Sequence, residues 1–162
     1  MKVLGIDPGT TRLGYAIVEG TLYEARLLTS GVFGNARLDR GARLSEIHTS
    51  LSSLIERQKP DCVAIESLFF SKNIKTALPV AEARGVILLT AQNANLTVYE
   101  YTPTQIKIAL TGAGGATKQQ VAAMAKKILK HTARPKWDDE SDAIATALTG
   151  LVVAGGMFKG RY

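Results

Sequence analysis

The sequence predicts a single α/β domain built on a mixed five-stranded sheet flanked by helices. Three observations lead there. Five short apolar stretches, bounded by Gly, Pro or Asp, have the length and residue types of strands. The first three follow one another across short turns, whereas the last two are separated by segments with apolar residues at helical spacing. A length of 162 residues carries one sizeable core and is short for two. Residues 1–155 are accordingly read as one domain, and 156–162 as a flexible basic tail.

Val3, Leu4 and Ile6 form a run too brief for a helix and suited to a buried strand over residues 2–7. Asp7 ends the run, and Pro8-Gly9 turns the chain. A carboxylate at the end of a buried strand is costly unless it is paired or holds a metal, although a turn-capping Asp without chemistry explains this stretch when taken alone. Residues 13–19 and 22–33 complete an antiparallel meander, with Gly20-Thr21 as its second turn. Leu44, Ile47, Leu51, Leu54 and Ile55 recur at helical spacing and define an amphipathic helix over 41–58, closed by Lys59-Pro60. Cys62-Val63-Ala64-Ile65 is the fourth strand, and its cysteine reads as a buried structural thiol. This strand ends in Glu66, the second lone acid in such a position.

From Ser67 to Asn73 the chain forms a loop in which Leu68, Phe69 and Phe70 stand beside Lys72. The residues alone favour a core plug there over an exposed base-stacking probe. Asn73 is placed to cap a helix whose main body is 80–92, and Pro79 calls for a kink or a late helix start. Ala77, Ala81 and Gly85 give that helix a small-residue face, suited to close packing on the sheet or on a second copy. Residues 96–101 are the fifth strand, 104–110 a short helix carrying Lys107, and 111–116 a mobile glycine-rich loop. Thr117-Lys118-Gln119-Gln120 has the form of a capping box, opening a helix with Val121, Met124, Ile128 and Leu129 on its apolar side. Lys126, Lys127 and Lys130 load the other side, which is the usual mark of a solvated face. A last helix buries Ile144, Ala147, Leu148 and Leu151. Asp139 and Asp142 share one of its faces, and acids in a first turn also suit the helix dipole.

Composition narrows the functional classes. The chain is 46% hydrophobic and 21% charged, as folded proteins are, and holds no apolar run of about 18 residues that would span a membrane. The N-terminus enters a strand directly, so no signal peptide is expected, and a lone cysteine suits a reducing cytosol. A net charge of +6 favours a polyanionic partner. An aromatic content of 6% argues against an extended single-strand stacking platform.

Three strands, a helix, a strand, a helix, a strand and then helices is the element order of a ribonuclease-H-like domain. In that layout the first and fourth strands can lie side by side, bringing Asp7 to Glu66, and the last helix can add Asp139 and Asp142. Four carboxylates in one place repel unless a cation joins them, and magnesium suits such oxygen donors. Two ions roughly 4 Å apart would clamp the attacking and leaving oxygens of a phosphodiester displacement. Lys107 and Lys118, on either side of the glycine-rich loop, can reach the phosphate.

Several motifs then become specific together: Gly5-Ile6-Asp7-Pro8-Gly9, Ala64-Ile65-Glu66, Phe69 with Lys72-Asn73, Ala83-Arg84-Gly85-Val86, and Asp139 and Asp142 followed by Ala143 and Ala145. In order and spacing the chain resembles the RuvC family of bacterial Holliday-junction resolvases over nearly its whole length. The resemblance implies a homodimeric, magnesium-dependent endonuclease that nicks two opposed strands of a four-way DNA junction, with manganese as a substitute metal. Carried over by position, it implies Asp7, Glu66, Asp139 and Asp142 as metal ligands and Lys107 and Lys118 as active-site lysines. It also implies Phe69, with Phe70 and Lys72, as DNA contacts, reversing the core-plug reading, and a dimer contact on the helix after Asn73. A RuvA-RuvB branch-migration complex is the implied partner. Asp138 adds an acid beside the matched pair, so a register shift of one residue would make it the third ligand.

Three other classes weigh less. An actin-like or sugar-kinase-like ATPase would fit Asp7-Pro8-Gly9-Thr10 but duplicates its domain, and this chain has one copy. A ribosomal-RNA-processing relative of the ribonuclease-H type fits the length, the Phe69 loop and the two lysines less well. A junction binder without catalysis would need none of the four acids.

Overall fold

The computed structural model describes residues 1–9, 11–21, 23–35, 37–67, 74–130 and 135–158. Its centre is β1 (Lys2–Pro8), flanked by β2 (Leu13–Gly20) and β4 (Cys62–Glu66) in a five-stranded sheet of order β3-β2-β1-β4-β5. The meander of β1, β2 and β3 (Ala25–Phe33) is antiparallel, while β1, β4 and β5 (Thr97–Tyr101) run parallel. Parallel neighbours require crossovers, and α1 (Arg40–Gln58) and α2 (Ile74–Asn93) supply them.

Alternation along the central strands sends side chains to two faces, each with its own core. Leu4, Ile6, Leu13, Ile17, Val63 and Ile65 pack with Leu51 and Leu54 of α1 and Ile87 and Ala91 of α2. Val3, Ala16, Val18, Cys62 and Ala64 face the other helices: α3 (Pro103–Thr111), α4 (Lys118–Ile128) and α5 (Asp138–Phe158). Cys62 lies fully buried there, and burial pushes its thiol up to about 11, which makes it a packing residue.

Small residues let α5 lie against the sheet. A side chain at Gly5 would overlap the Ala143 carbonyl and the Ala147 amide, and one at Gly14 would overlap the Asp139 carbonyl. At the far end, a Cβ on Gly150 would stand 2.8 Å from Val3 Cγ1 and 2.9 Å from the Ala64 Cβ. The start of α5 is fixed by Glu140, which is buried and accepts hydrogen bonds from Ser30 Oγ at 2.6 Å and the Lys136 amide at 2.8 Å.

Local chemistry sets the boundaries, and some differ from the expectation. The third strand begins at Ala25, not at 22, because Thr21 and Glu24 exchange backbone hydrogen bonds of 3.0 and 3.3 Å in the connecting turn. The α2 helix starts at Ile74 rather than 80 and takes Pro79 inside it. Pro79 is its sixth residue, so the missing amide forfeits one helical bond, while the first four amides have no partner within the helix anyway. Helix α3 is capped by a reciprocal Thr102–Gln105 box with Pro103 at its first position, and the expected Thr117–Gln120 box opens α4. The last helix runs on to Phe158, three residues into the segment expected as tail. Residues 159–162 lie outside the described residues, as does Asn73.

Candidate active site

The parallel pairing of β1 with β4 matches Ile6 to Ile65, so Asp7 and Glu66 are the next residues on two adjacent strands. Period-two alternation puts both on the face shared by Gly5 and Ala64, the face that α5 covers. Asp7 also pairs with Gly14 on β2, and the missing side chain at Gly14 is what brings the first turn of α5 onto the sheet beside Asp7. That turn carries Asp139, and Asp142 follows three residues on along the same face.

The electrostatics centre on Asp7, on which the other three acids act. Burial pushes the Asp7 carboxyl up from 3.8 to about 7, and the charges of Glu66, Asp142 and Asp139 push the same way, against Lys118. Glu66 is raised as well, first by burial and then by Asp142, with Lys118 and Lys107 opposing. Lys118 Nζ lies 2.7 Å from Asp142 Oδ2, and this hydrogen bond raises the ammonium's pKa. Glu66, Asp142, Lys107 and Lys118 line one cleft of about 90 Å³, floored by Ile106, Val121 and Ala145. The glycine-rich loop joins α3 to α4, and Lys107 and Lys118 on either side of it line the same cleft.

Asp138 and Asp139 differ in placement. Asp139 is half-buried and its charge reaches Asp7, whereas Asp138 is exposed and acts on Lys118. Among the described residues no three acidic, histidine or cysteine side chains close into a ready-made cage. Two of the acids are instead met by protein cations, Asp142 by Lys118 and Asp139 by Arg12. An all-oxygen donor set in which burial and repulsion disfavour the free anion fits a hard divalent cation, which would remove the penalty directly.

Three contributors escaped the sequence reading. Arg12 Nε lies 3.3 Å from Asp139 Oδ2, and its guanidinium sits over the Trp137 ring, 4.5 Å from the centroid. Arg84 on α2 donates to the Glu66 carbonyl at 3.3 Å and pairs with Glu100 on β5, tying the ends of β4 and β5 together. Arg84 lies in a motif the sequence had already singled out; Arg12 and Trp137 meet only through the fold and leave no local signal. Phe69, Phe70 and Lys72 lie outside the described residues.

Known proteins match this fold. The family model for crossover junction endodeoxyribonuclease RuvC matches residues 3–150. A crossover junction endodeoxyribonuclease RuvC of Caldicellulosiruptor saccharolyticus is 47% identical over 154 residues, covering 94% of this chain and 93% of the relative. Among solved structures, Thermus thermophilus RuvC superposes with a TM-score of 0.89 at 37% identity, covering 97% of both chains. The same protein in complex with Holliday junction substrate gives a TM-score of 0.90 at 37% identity, with 95% of this chain and 94% of that one covered. With its ribonuclease-H-like sheet, its four converging carboxylates and a match along nearly its full length, the chain belongs to the crossover junction endodeoxyribonuclease RuvC family.

Proposed function

We propose that this chain resolves four-way DNA junctions in recombination and repair, hydrolysing one phosphodiester in each of two opposed strands. The observation that carries the reading is the meeting of Asp7, Glu66, Asp139 and Asp142 in a family whose Thermus thermophilus member has been captured with Holliday junction substrate. These four would hold magnesium, two ions per subunit, with manganese as a substitute. The ions, when bound, supply charge neutralisation at the attacking and leaving oxygens and a more acidic water.

The remaining roles belong to the protein. Asp7 and Glu66 come from adjacent parallel strands, so their separation is set by the sheet rather than by a loop. Asp142 holds the Lys118 ammonium at the cleft, where it can donate to a phosphate oxygen, and Lys107 adds charge from α3. Asp139 is favoured over Asp138 as the third acid because its charge reaches Asp7. The expected products are a 5′-phosphate and a 3′-hydroxyl, ends that a ligase seals. By the family resemblance, Phe69, Phe70 and Lys72 contact the junction and a RuvA-RuvB complex delivers it. The exposed Lys126, Lys127 and Lys130 on and just past α4 add to a basic surface for DNA arms.

Paired nicking calls for two sites, and α2 offers a dimer contact. Leu78 and Leu89 are each 59% exposed on the face that also carries Gly85, where an added side chain would meet open space. No helix among the described residues is long and apolar enough to cross a membrane, and we place the enzyme in the bacterial cytoplasm.

The test is cleavage of a synthetic four-way junction beside a linear duplex of the same sequence, with and without magnesium. Ligatable paired nicks confined to the junction with metal are expected. Junction binding without nicks in any divalent metal would leave a non-catalytic binder.

A further inference from the structure

Arg12 follows the turn after Asp7, and Trp137 immediately precedes α5, so two ends of the active site meet in this pair. The Arg12 guanidinium lies 4.5 Å from the Trp137 ring centroid, and its Nε lies 3.3 Å from Asp139 Oδ2. The stack is thus one side chain removed from the carboxylate cluster. Both members remain accessible: Trp137 is 47% exposed and the Arg12 side chain 42%. The ion pair and the cation–π contact hold them in place without covering them. An indole left this open beside a carboxylate cluster is unlike the core role that most of an aromatic's surface ordinarily fills.

We infer that Arg12 and Trp137 form a nucleotide subsite beside the carboxylate cluster, in which Trp137 takes a base flanking the scissile phosphate and Arg12 contacts the adjoining backbone. The inference rests on the junction-cleaving reading above. A DNA strand entering a ring of four carboxylates meets repulsion, and a guanidinium on Asp139 offsets it while presenting N–H donors to phosphate oxygens. A half-exposed indole is also a surface on which a base can stack, whatever its identity, because every base offers a π-face. The subsite would therefore grip the strand beside the nick without reading its sequence.

Trp137 is the only tryptophan in the chain, so its emission reports this location alone. The nick is first mapped in magnesium. The full-length protein is then titrated with the junction in calcium, in which turnover is checked to be absent. Tryptophan emission is recorded, and binding is followed in parallel by mobility shift. Junctions with an abasic residue at either nucleotide flanking the nick are compared with the intact one. The expected result is a change in emission on binding that one abasic position removes, with affinity about 5-fold or more weaker, as loss of a base–aromatic stack implies. Trp137→Ala should show the same loss on the intact junction and no further loss on the abasic one, whereas Trp137→Phe should keep most of the affinity. Binding with unchanged emission, or an emission change indifferent to both abasic positions, would overturn the subsite. A protein that binds no junction at all would remove the resolvase reading and the subsite with it.

Discussion

At the scale of single residues, Asp7 concentrates the tension in the site. Its carboxyl is raised from 3.8 to about 7 by burial and by Glu66, Asp142 and Asp139. In an unfolded chain Asp7 releases its proton near pH 4, while in the fold it keeps the proton to near pH 7. The native state therefore binds more protons through that window, and without metal, stability falls as pH rises across it. Asp7→Asn removes the titration. In chelator its melting temperature should exceed that of the parent at pH 8 by several degrees, at about 2–4 °C per kcal/mol for a chain of this size, and the gap should close toward pH 4. Thermal melts across that range check this; parallel curves for the two proteins would refute it. Asp7 and Glu66 were legible in the sequence because each ends an apolar run, where an unpaired acid is costly. The stack of Arg12 on Trp137 was not, since neither residue breaks a local pattern and only the tertiary fold joins them.

At the scale of elements, the site depends on how closely α5 approaches the sheet. Gly5 and Gly14 are the points of close approach, and at Gly5 the Ala143 carbonyl and the Ala147 amide lie where its Cβ would stand. Backbone atoms cannot rotate away as a side-chain tip can, so Gly5→Ala should push α5 off the sheet. The expected cost is about 1–3 kcal/mol of stability. Cleavage should fall further than stability alone explains, because Asp139 and Asp142 ride on the displaced helix. Urea unfolding and junction cleavage measured on the same preparation test this; an unchanged cleavage rate would show that α5 tolerates the shift. The sequence marked the Gly5-Ile6-Asp7-Pro8-Gly9 motif without supplying this reason, because close approach is a property of two elements and not of one. Capping chemistry was legible at Thr117, where all the partners lie within four residues. Pro79 called for a kink or a late start, and α2 starts before it, at Ile74, with one helical bond forfeited within a 20-residue helix.

At the scale of the whole molecule, the strand order β3-β2-β1-β4-β5 converts a linear alternation of elements into one acidic cleft with basic surroundings. The element order alone carried this much, since parallel strands joined by helical crossovers have few ways to pack. A pairing of two such clefts is what the family resemblance implies, and the small-residue face of α2 suits the sheet or a contact with a second copy equally well. The exposed Leu78 and Leu89 now favour the contact. Leu89→Glu should shift the protein to a monomer in sedimentation and uncouple the two nicks, while leaving the fold intact; a persistent dimer would move the interface elsewhere.

As proposed, the four acids form one catalytic centre for junction cleavage. Its most direct test is to measure cleavage and binding of the same four-way junction by the parent and by Asp7→Asn in magnesium. Cleavage should fall by at least on the order of 10²-fold, as loss of a group that stabilises the transition state implies, while junction affinity stays within a few-fold. An Asp7→Asn protein that cleaves at the parental rate would contradict it.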